Sequence, residues 1–257
     1  MPPNLARYYD AIVPWEKRLK REMPLLEELA RAAGGRVLVP ACGTGGHVVA
    51  LAQRGFDVLG FDIDEDALAL AGQKIDSAAA TIASSGGKAE IKLLDMSKAG
   101  ALGPSFGVAF CLGNALPGMS QPGQLLAALR GAAGALRPGG VFLTQNLNYD
   151  LRWREKTQFF PVLSGQTADE EVLLVKFADY DAEHINFHAI FLARPKAGGA
   201  WQTHARSSRQ VPLLLGYLYG LSSEAGLRGI EAWGNFAKSP FDPAKSNDLI
   251  LFAKNAQ

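Results

Sequence analysis

A short apolar run over residues 37–39 breaks at Pro40 into a turn of small residues, Ala41-Cys42-Gly43-Thr44-Gly45-Gly46. A helical pattern follows to Arg54, Gly55 ends it, and a second apolar run beginning at Val58 stops at an acid, Asp62. Strand, glycine turn, helix and acid-terminated strand, in that order, form the front half of a nucleotide-binding α/β unit. Glycines there let the backbone turn sharply and lie against a ligand that a Cβ would exclude. The acid stands about 20 residues past the turn, the place from which such folds hydrogen-bond a ribose diol. No other stretch limits the choice of fold so tightly.

The neighbouring segments extend this unit. Residues 5–33 read as helical, with Trp15, Leu19, Leu25, Leu26 and Leu29 offering an apolar stripe, and Pro14 and Pro24 are expected to divide them into shorter helices. A helix over 64–75 takes Asp64 as N-cap. Strands are expected over 90–94, ending at Asp95, over 108–112, ending at Gly113-Asn114, and over 141–144. Between the last two lies a helix over 124–136, stopped by Arg137-Pro138-Gly139-Gly140. Such alternation argues for a parallel sheet covered on both faces. After Tyr149 the pattern changes to successive strands over 172–177, 185–192 and 201–209, which predicts antiparallel strands inserted into or lying over the sheet. A helix over 212–225 and strands over 227–233 and 249–253 return to the first sheet.

Composition narrows the partners. With 26 basic against 25 acidic residues the formal charge is +1, which gives no general attraction to nucleic acid or an anionic membrane. Cys42 and Cys111 are too few for a disulfide framework and show no CxxC spacing, so buried free thiols are expected, with no metal. The segment MPPNLARYYD lacks the apolar core of a signal peptide, and no apolar run reaches a membrane span, so a cytoplasmic location is expected. Oligomeric state is left open.

The architecture admits either a nicotinamide dehydrogenase or a methyltransferase using S-adenosylmethionine. A dinucleotide turn reads GxGxxG, whereas here Ala41, Gly43 and Gly45 sit closer to the first strand. Asp95 ends a strand in LLDM, and FGVAFCLGNALPGM closes strand four ahead of a helix and LRPGGVFL. On these motifs the chain resembles the class I S-adenosylmethionine-dependent methyltransferases, and within them the glycine/sarcosine N-methyltransferase-like branch. That branch carries VLDVACGTG, CLGN followed by a small and an apolar residue, RPGG, and NYD after strand five. Here these stand as VLVPACGTG, CLGNAL, RPGG and Asn148-Tyr149-Asp150. The helix WEKRLKRE resembles one with which related bacterial enzymes close over the cofactor, and EAGLRGIEAWGNF with NDLILFAK resembles the closing hairpin. The match weakens over residues 151–209.

The resemblance implies a Rossmann-like α/β fold, a seven-stranded sheet with helices on both faces and a small antiparallel β insertion after strand five. It divides the chain into a helical cap over 1–35, a cofactor-binding core over 36–150, an insertion over 151–210 shaping the acceptor pocket, and a completion of the sheet over 211–257. It implies S-adenosylmethionine as cofactor and roles by position. Ala41, Gly43 and Gly45 would pass close to its methionine part, and Asp62, with Ile63 beside it, would accept from the ribose hydroxyls. Asp95 would accept from the adenine amino group with Met96 beside the ring, and Leu112 would offer its carbonyl to the methionine ammonium. Arg18 or Arg21 would pair with the methionine carboxylate, and Tyr8, Tyr9 or Trp15 would cover the site. Asn114 and Tyr9 are the candidates for contact with the reacting groups.

Two departures stand out. The acid that ends strand one in the family is Val39, so whatever it orders near the ammonium must be weaker or done elsewhere. Before NYD, where glycine N-methyltransferases carry HR and grip the acceptor carboxylate, the chain has Asn146-Leu147, which disfavours glycine unless Arg152 or Arg154 reaches in. His184, Asn186 and His188 share one face of a strand, a spacing open to a metal or substrate and equally to the polar side of a half-buried strand. Trp153, Phe159 and Phe160 are either walls of an acceptor pocket or core, and His47 is structural or solvated. No residue announces itself as the strong base a hydroxyl acceptor needs, so the expected reaction is direct in-line methyl transfer to a small-molecule amine. The alternatives are a protein that binds the cofactor with little turnover, and a nicotinamide-dependent oxidoreductase. Asn114-Ala115-Leu116-Pro117 does not match the N/D-P-P-Y/F of enzymes that methylate nucleic-acid amines.

Overall fold

The computed structural model describes residues 5–256. Residues 1–4 and 257, where the expected cap begins and the expected final segment ends, lie outside the described residues. Two helices lead in, α1 (Leu5–Ile12) and α2 (Trp15–Ala33), parted at Pro14. Pro24 does not part them further, contrary to expectation: α2 runs through it. A proline inside a helix removes one backbone hydrogen bond and crowds the preceding turn. Here Met23, Leu25, Leu26 and Leu29 are buried on either side of the defect and hold both halves of the helix against the sheet.

The central unit follows as β1 (Arg36–Pro40), α3 (Gly46–Ala52), β2 (Asp57–Asp62), α4 (Glu65–Ser84) and β3 (Lys88–Leu93). Asp64 caps α4 by accepting from the Ala67 amide. The helix continues past residue 75 because its far half is rich in alanine, a strong helix former that carries no apolar stripe to read. A 3-10 helix (Met96–Leu102), β4 (Phe106–Cys111), α5 (Gln124–Ala135) and β5 (Leu136–Leu147) complete this part. The Arg137-Pro138-Gly139-Gly140 segment stops α5 but bulges from within β5, since Leu136 already pairs with Phe106 and Val141 resumes beside Val108.

The remaining elements are α6 (Tyr149–Glu155), β6 (Leu163–Gln166), β7 (Glu170–Tyr180), β8 (Ile185–Pro195), β9 (Gln202–Gln210), α7 (Leu215–Glu224), β10 (Leu227–Trp233) and β11 (Asp248–Asn255). Seven strands form one sheet in the order β10-β11-β5-β4-β1-β2-β3, in which only β11 runs against its neighbours. The other four form a separate antiparallel sheet, β6-β7-β8-β9. Neither α6 nor β6 was expected, each being too short to show a period.

Alternation along the strands builds a core on each face of the large sheet. Val37, Val39, Val108, Phe110 and Leu143 pack with Leu26 of α2, Val48 and Leu51 of α3 and Leu68 of α4. Leu38, Ala109, Cys111 and Phe142 turn the other way, to Leu125 and Leu129 of α5 and Leu218 of α7. Both faces are covered, so the strands read as unbroken apolar runs. A third, smaller cluster joins Leu5, Tyr8 and Ile12 of α1 to Val172, Leu174, Phe191 and Ala193 of the small sheet. The first helix therefore belongs by packing to a sheet more than 150 residues away in sequence.

Candidate cofactor site

The glycine turn lies at the carboxyl ends of β1 and β2, and its backbone departs from ordinary geometry at three points. Ala41, Gly43 and Gly45 all have positive φ, at 51°, 53° and 75°. The turn is pinned by Cys42 N–H to the Phe61 carbonyl at 3.0 Å and Gly45 N–H to the Cys42 carbonyl at 3.0 Å. A Cβ on Gly45 would come within 2.7 Å of Ala71 Cβ, and one on Gly46 would enter the Trp15 ring. A Cβ on Gly43 would meet nothing within 4 Å. The turn is thus packed against protein at Gly45 and Gly46 and open at Gly43, where backbone without a Cβ leaves room for close approach. Asp62 braces it: one carboxylate oxygen accepts from Gly43 N–H at 2.8 Å, the other from Ile63 N–H at 2.8 Å and Asp64 N–H at 3.1 Å. The oxygen bonded to Gly43 keeps a lone pair for a hydroxyl donor.

Along the same rim, Ile63 is exposed while Met96 is buried in the core. Asp95 is also exposed, and its carboxyl is held below the ordinary range by the Ser97 hydroxyl and amide, which donate to it at 2.7 and 2.8 Å. At the end of β4, Leu112 is buried, and Gly113 (φ 79°) and Asn114 (φ 63°) turn the chain away. Gln145 of β5 fixes that turn, taking the Gly113 amide on its side-chain oxygen at 2.9 Å and donating to Asp248 at 2.8 Å. Burial raises the Asp248 carboxyl despite that bond.

Arg18 crosses from α2 to this point. Its guanidinium lies where a Cβ on Gly113 would be 3.2 Å away, and stacks on Trp15 at 5.3 Å. Glu22, with no exposed surface, accepts from Arg18 Nε at 3.1 Å, from Arg21 at 2.8 Å, and pairs with His47 Nε2 at 2.7 Å. Burial alone would raise Glu22, but the His47 hydrogen bond and the Arg18 charge outweigh it and hold the carboxyl below its ordinary range. Burial lowers His47, against the pull of Glu22. The cluster is an ionised carboxylate, two guanidiniums and a neutral imidazole, with one positive charge in excess. Arg21 is the outer guanidinium, 56% exposed at its side chain against 16% for Arg18, and lies over Phe236.

A second tie follows no sequence motif. One oxygen of Asp10, from α1, accepts from Trp15 Nε1 at 2.7 Å, Thr44 Oγ1 at 2.6 Å and Lys74 Nζ at 2.6 Å. It joins the lead-in helices to the glycine turn and to α4. Trp15 lies against the turn at Gly46. Tyr8 does not: it is buried on the small sheet, bonded to Glu170 and packed on Phe191 and His204. Tyr9 is exposed, and its side chain makes no hydrogen bond or ring contact among the described residues. Among the described residues no hydrogen bond joins it to Asn114. The Asn114 side chain is engaged at both ends, donating to Tyr149 Oη at 2.9 Å and accepting from Leu147 N–H at 3.0 Å. Tyr149 in turn donates to Gln210 at 3.0 Å, and burial pushes its hydroxyl up to about 12.

Other candidates settle into structural places. His188 bonds Ser207 and Asp179 across the small sheet, His184 lies against Arg209, and among the described residues no metal-binding group forms. Trp153 and Phe160 pack on the core, whereas Phe159 is exposed. Cys42 and Cys111 are free and buried. Among the described residues no helix is long and apolar enough to cross a membrane.

Comparison with known proteins gives this geometry its context. Residues 37–140 match a family described as a methyltransferase domain. Glycine/sarcosine N-methyltransferase from Parasynechococcus marenigrum is 25% identical over 241 residues, covering 91% of this chain and 78% of the relative. The crystal structure of an S-adenosylmethionine-dependent methyltransferase from Clostridium acetobutylicum superposes with a TM-score of 0.78 at 14% identity, over 99% of this chain and 98% of that one. The amino pentose methyltransferase of calicheamicin biosynthesis from Micromonospora echinaspora, solved with S-adenosylmethionine bound, gives 0.65 at 19% identity over 91% of each chain.

Proposed function

We propose that the chain, in keeping with the methyltransferase domain matched over residues 37–140 and with its relatives, is a class I S-adenosylmethionine-dependent methyltransferase that methylates an amine of a small molecule by direct in-line transfer. When bound, S-adenosylmethionine supplies a methyl group on a sulfonium, open to displacement by a nucleophile. The chain's own residues bind and orient. Asp62, already anchored by three backbone amides, holds the ribose hydroxyls, and the open side of Gly43, between Ala41 and Gly45, admits the methionine part. Asp95 takes the adenine amino group, with Ile63 offering an exposed apolar surface beside it. Met96 fixes this rim from within the core. The Leu112 carbonyl receives the ammonium. Between the two arginines, Arg18 is the one that pairs with the methionine carboxylate, because it alone reaches the end of β4 while Arg21 faces outward over Phe236. Trp15 closes over the turn.

The lead-in helices act as a cap, residues 36–150 as the cofactor core, 151–210 as the acceptor wall, and the remainder as completion of the sheet. The observation that carries the amine reading is at Asn114. The groups bonded to it are a backbone amide and a tyrosine hydroxyl raised to about 12, and neither is a base at neutral pH. A neutral amine attacks without surrendering a proton first, whereas a hydroxyl needs a base in place. Asn114 then positions the acceptor wall through Tyr149, and Tyr9 takes no part. The test is S-adenosylhomocysteine formation on primary amines and their matched alcohols. Turnover confined to the amines supports the reading; turnover on the alcohols at comparable rates would sink it.

A further inference from the structure

The carboxyl end of β5 passes into α6, so what α6 carries stands over the strand ends where ligands of open α/β sheets bind. Tyr149, its first residue, bonds Asn114, and Arg152 follows one turn later. The Arg152 guanidinium lies 5.3 Å from the Phe160 ring centre, and Lys176 Nζ of β7 lies 5.9 Å from the same ring. Phe160 N–H bonds the Lys176 carbonyl at 3.2 Å, which fixes ring and lysine together. Beside them, Lys156 Nζ sits 3.0 Å from the Trp153 ring centre and 5.0 Å from that of Tyr180.

Three cations thus gather on aromatic faces, and among the described residues none of them has a carboxylate partner. No ion pair joins them to the acids around them: Asp179 bonds His188, Asp150 takes the Leu215 amide, Asp248 takes Gln145 and feels the Arg152 charge without a hydrogen bond to it, and Glu155 on α6 is exposed to solvent. Aromatic faces offset part of the cost of desolvating a cation but cancel none of the charge. Lys176 is lowered from its ordinary range by burial and then by the Arg152 charge, so the two cations burden each other. A solvated basic face would show neither burial nor shared rings.

Building on the amine reading above, we propose that Arg152 and Lys176, with Lys156 at the rim, receive an anionic group of the acceptor, a carboxylate or a phosphate, and so anchor its far end. The amine would then be held at the end of β4 by a group distant from the reacting atoms, the use of remote binding energy that raises the rate of transfer.

Matched pairs of amines test this: amino acids against their carboxamides, and amino sugars against their phosphate esters. The anionic member is preferred by about tenfold or more in kcat/KM, as charge-assisted hydrogen bonds allow, and R152M and K176M each bring the ratio toward one. Equal use of both members, or a ratio undiminished in both variants, overturns the proposal. Should no amine be methylated, the amine reading fails and binding decides the anion site alone. Sodium phosphate and sodium acetate are then added, at fixed ionic strength against chloride, to protein loaded with S-adenosylhomocysteine. A rise in Tm for the wild type that is lost in the double variant supports the site, and which anion produces it distinguishes phosphate from carboxylate. No rise with either anion overturns it.

Discussion

Glu22 occupies a place on α2 that an apolar residue would ordinarily fill. Trp15, Leu19, Leu26 and Leu29 recur on the same side at helical spacing, and Glu22 falls in register with them. A buried carboxylate costs several kcal/mol unless donors surround it. Arg18, Arg21 and His47 are those donors, and through them the residue fixes Arg18 at Gly113. It brings a buried acid to the α2 face of the sheet, where Val39 leaves the end of β1 without one. Replacing the charge but not the shape, in Glu22→Gln, should weaken S-adenosylhomocysteine binding by about tenfold, or about 1.4 kcal/mol. The same variant should bind 5′-methylthioadenosine, which lacks the amino-acid part, as the wild type does. Equal loss for both ligands would reduce Glu22 to a prop of the fold. Within the charged run WEKRLKRE nothing sets Glu22 apart from its charged neighbours except its place, an acid seven residues after Trp15 in an apolar register. Asp62 was legible because its spacing from a glycine turn has few other uses.

Among the elements, α1 joins the two halves of the molecule. Its apolar side packs on the small sheet, and Asp10 near its end reaches the glycine turn at Thr44 and α4 at Lys74. Asp10→Ala removes an acceptor shared by three donors, so the cap should loosen: S-adenosylhomocysteine should dissociate about tenfold faster. The Tm of the unliganded protein should move by only a few degrees, because the apolar packing of α1 remains. An unchanged dissociation rate would show that α1 does not gate the site. The strands β1, β2 and β4 were legible as unbroken apolar runs, since both sheet faces bury them. Where expectation failed, local pattern lost to packing: α2 tolerates Pro24 inside a buried flank, and β6 and α6 take form only against α1, β7 and the end of β5. Asp10 gave no signal, since its three partners converge only in the folded chain.

For the molecule as a whole, the cofactor side and the acceptor side differ in how far sequence can reach. The cradle is built within one continuous βαβαβ stretch, so the turn, Asp62 and Asp95 are fixed by spacing along the chain. The proposed acceptor wall combines Asn114, Tyr149, Arg152, Lys176 and Gln210 from three separate elements and the turn after β4, and no periodicity links them. All of it depends on the turn at residues 41–46 and Asp62 holding an adenosyl ligand. Thermal unfolding of the wild type and Asp62→Ala, with S-adenosylhomocysteine or NAD present, measures this directly. At about 100 times its Kd, a ligand of the native state adds about 2.7 kcal/mol, which for a chain of this size should raise Tm by several degrees, at about 2–4 °C per kcal/mol. The predicted result is a rise with S-adenosylhomocysteine, none with NAD, and its loss in Asp62→Ala. A rise with NAD alone, or an undiminished adenosyl shift in the variant, would contradict the account.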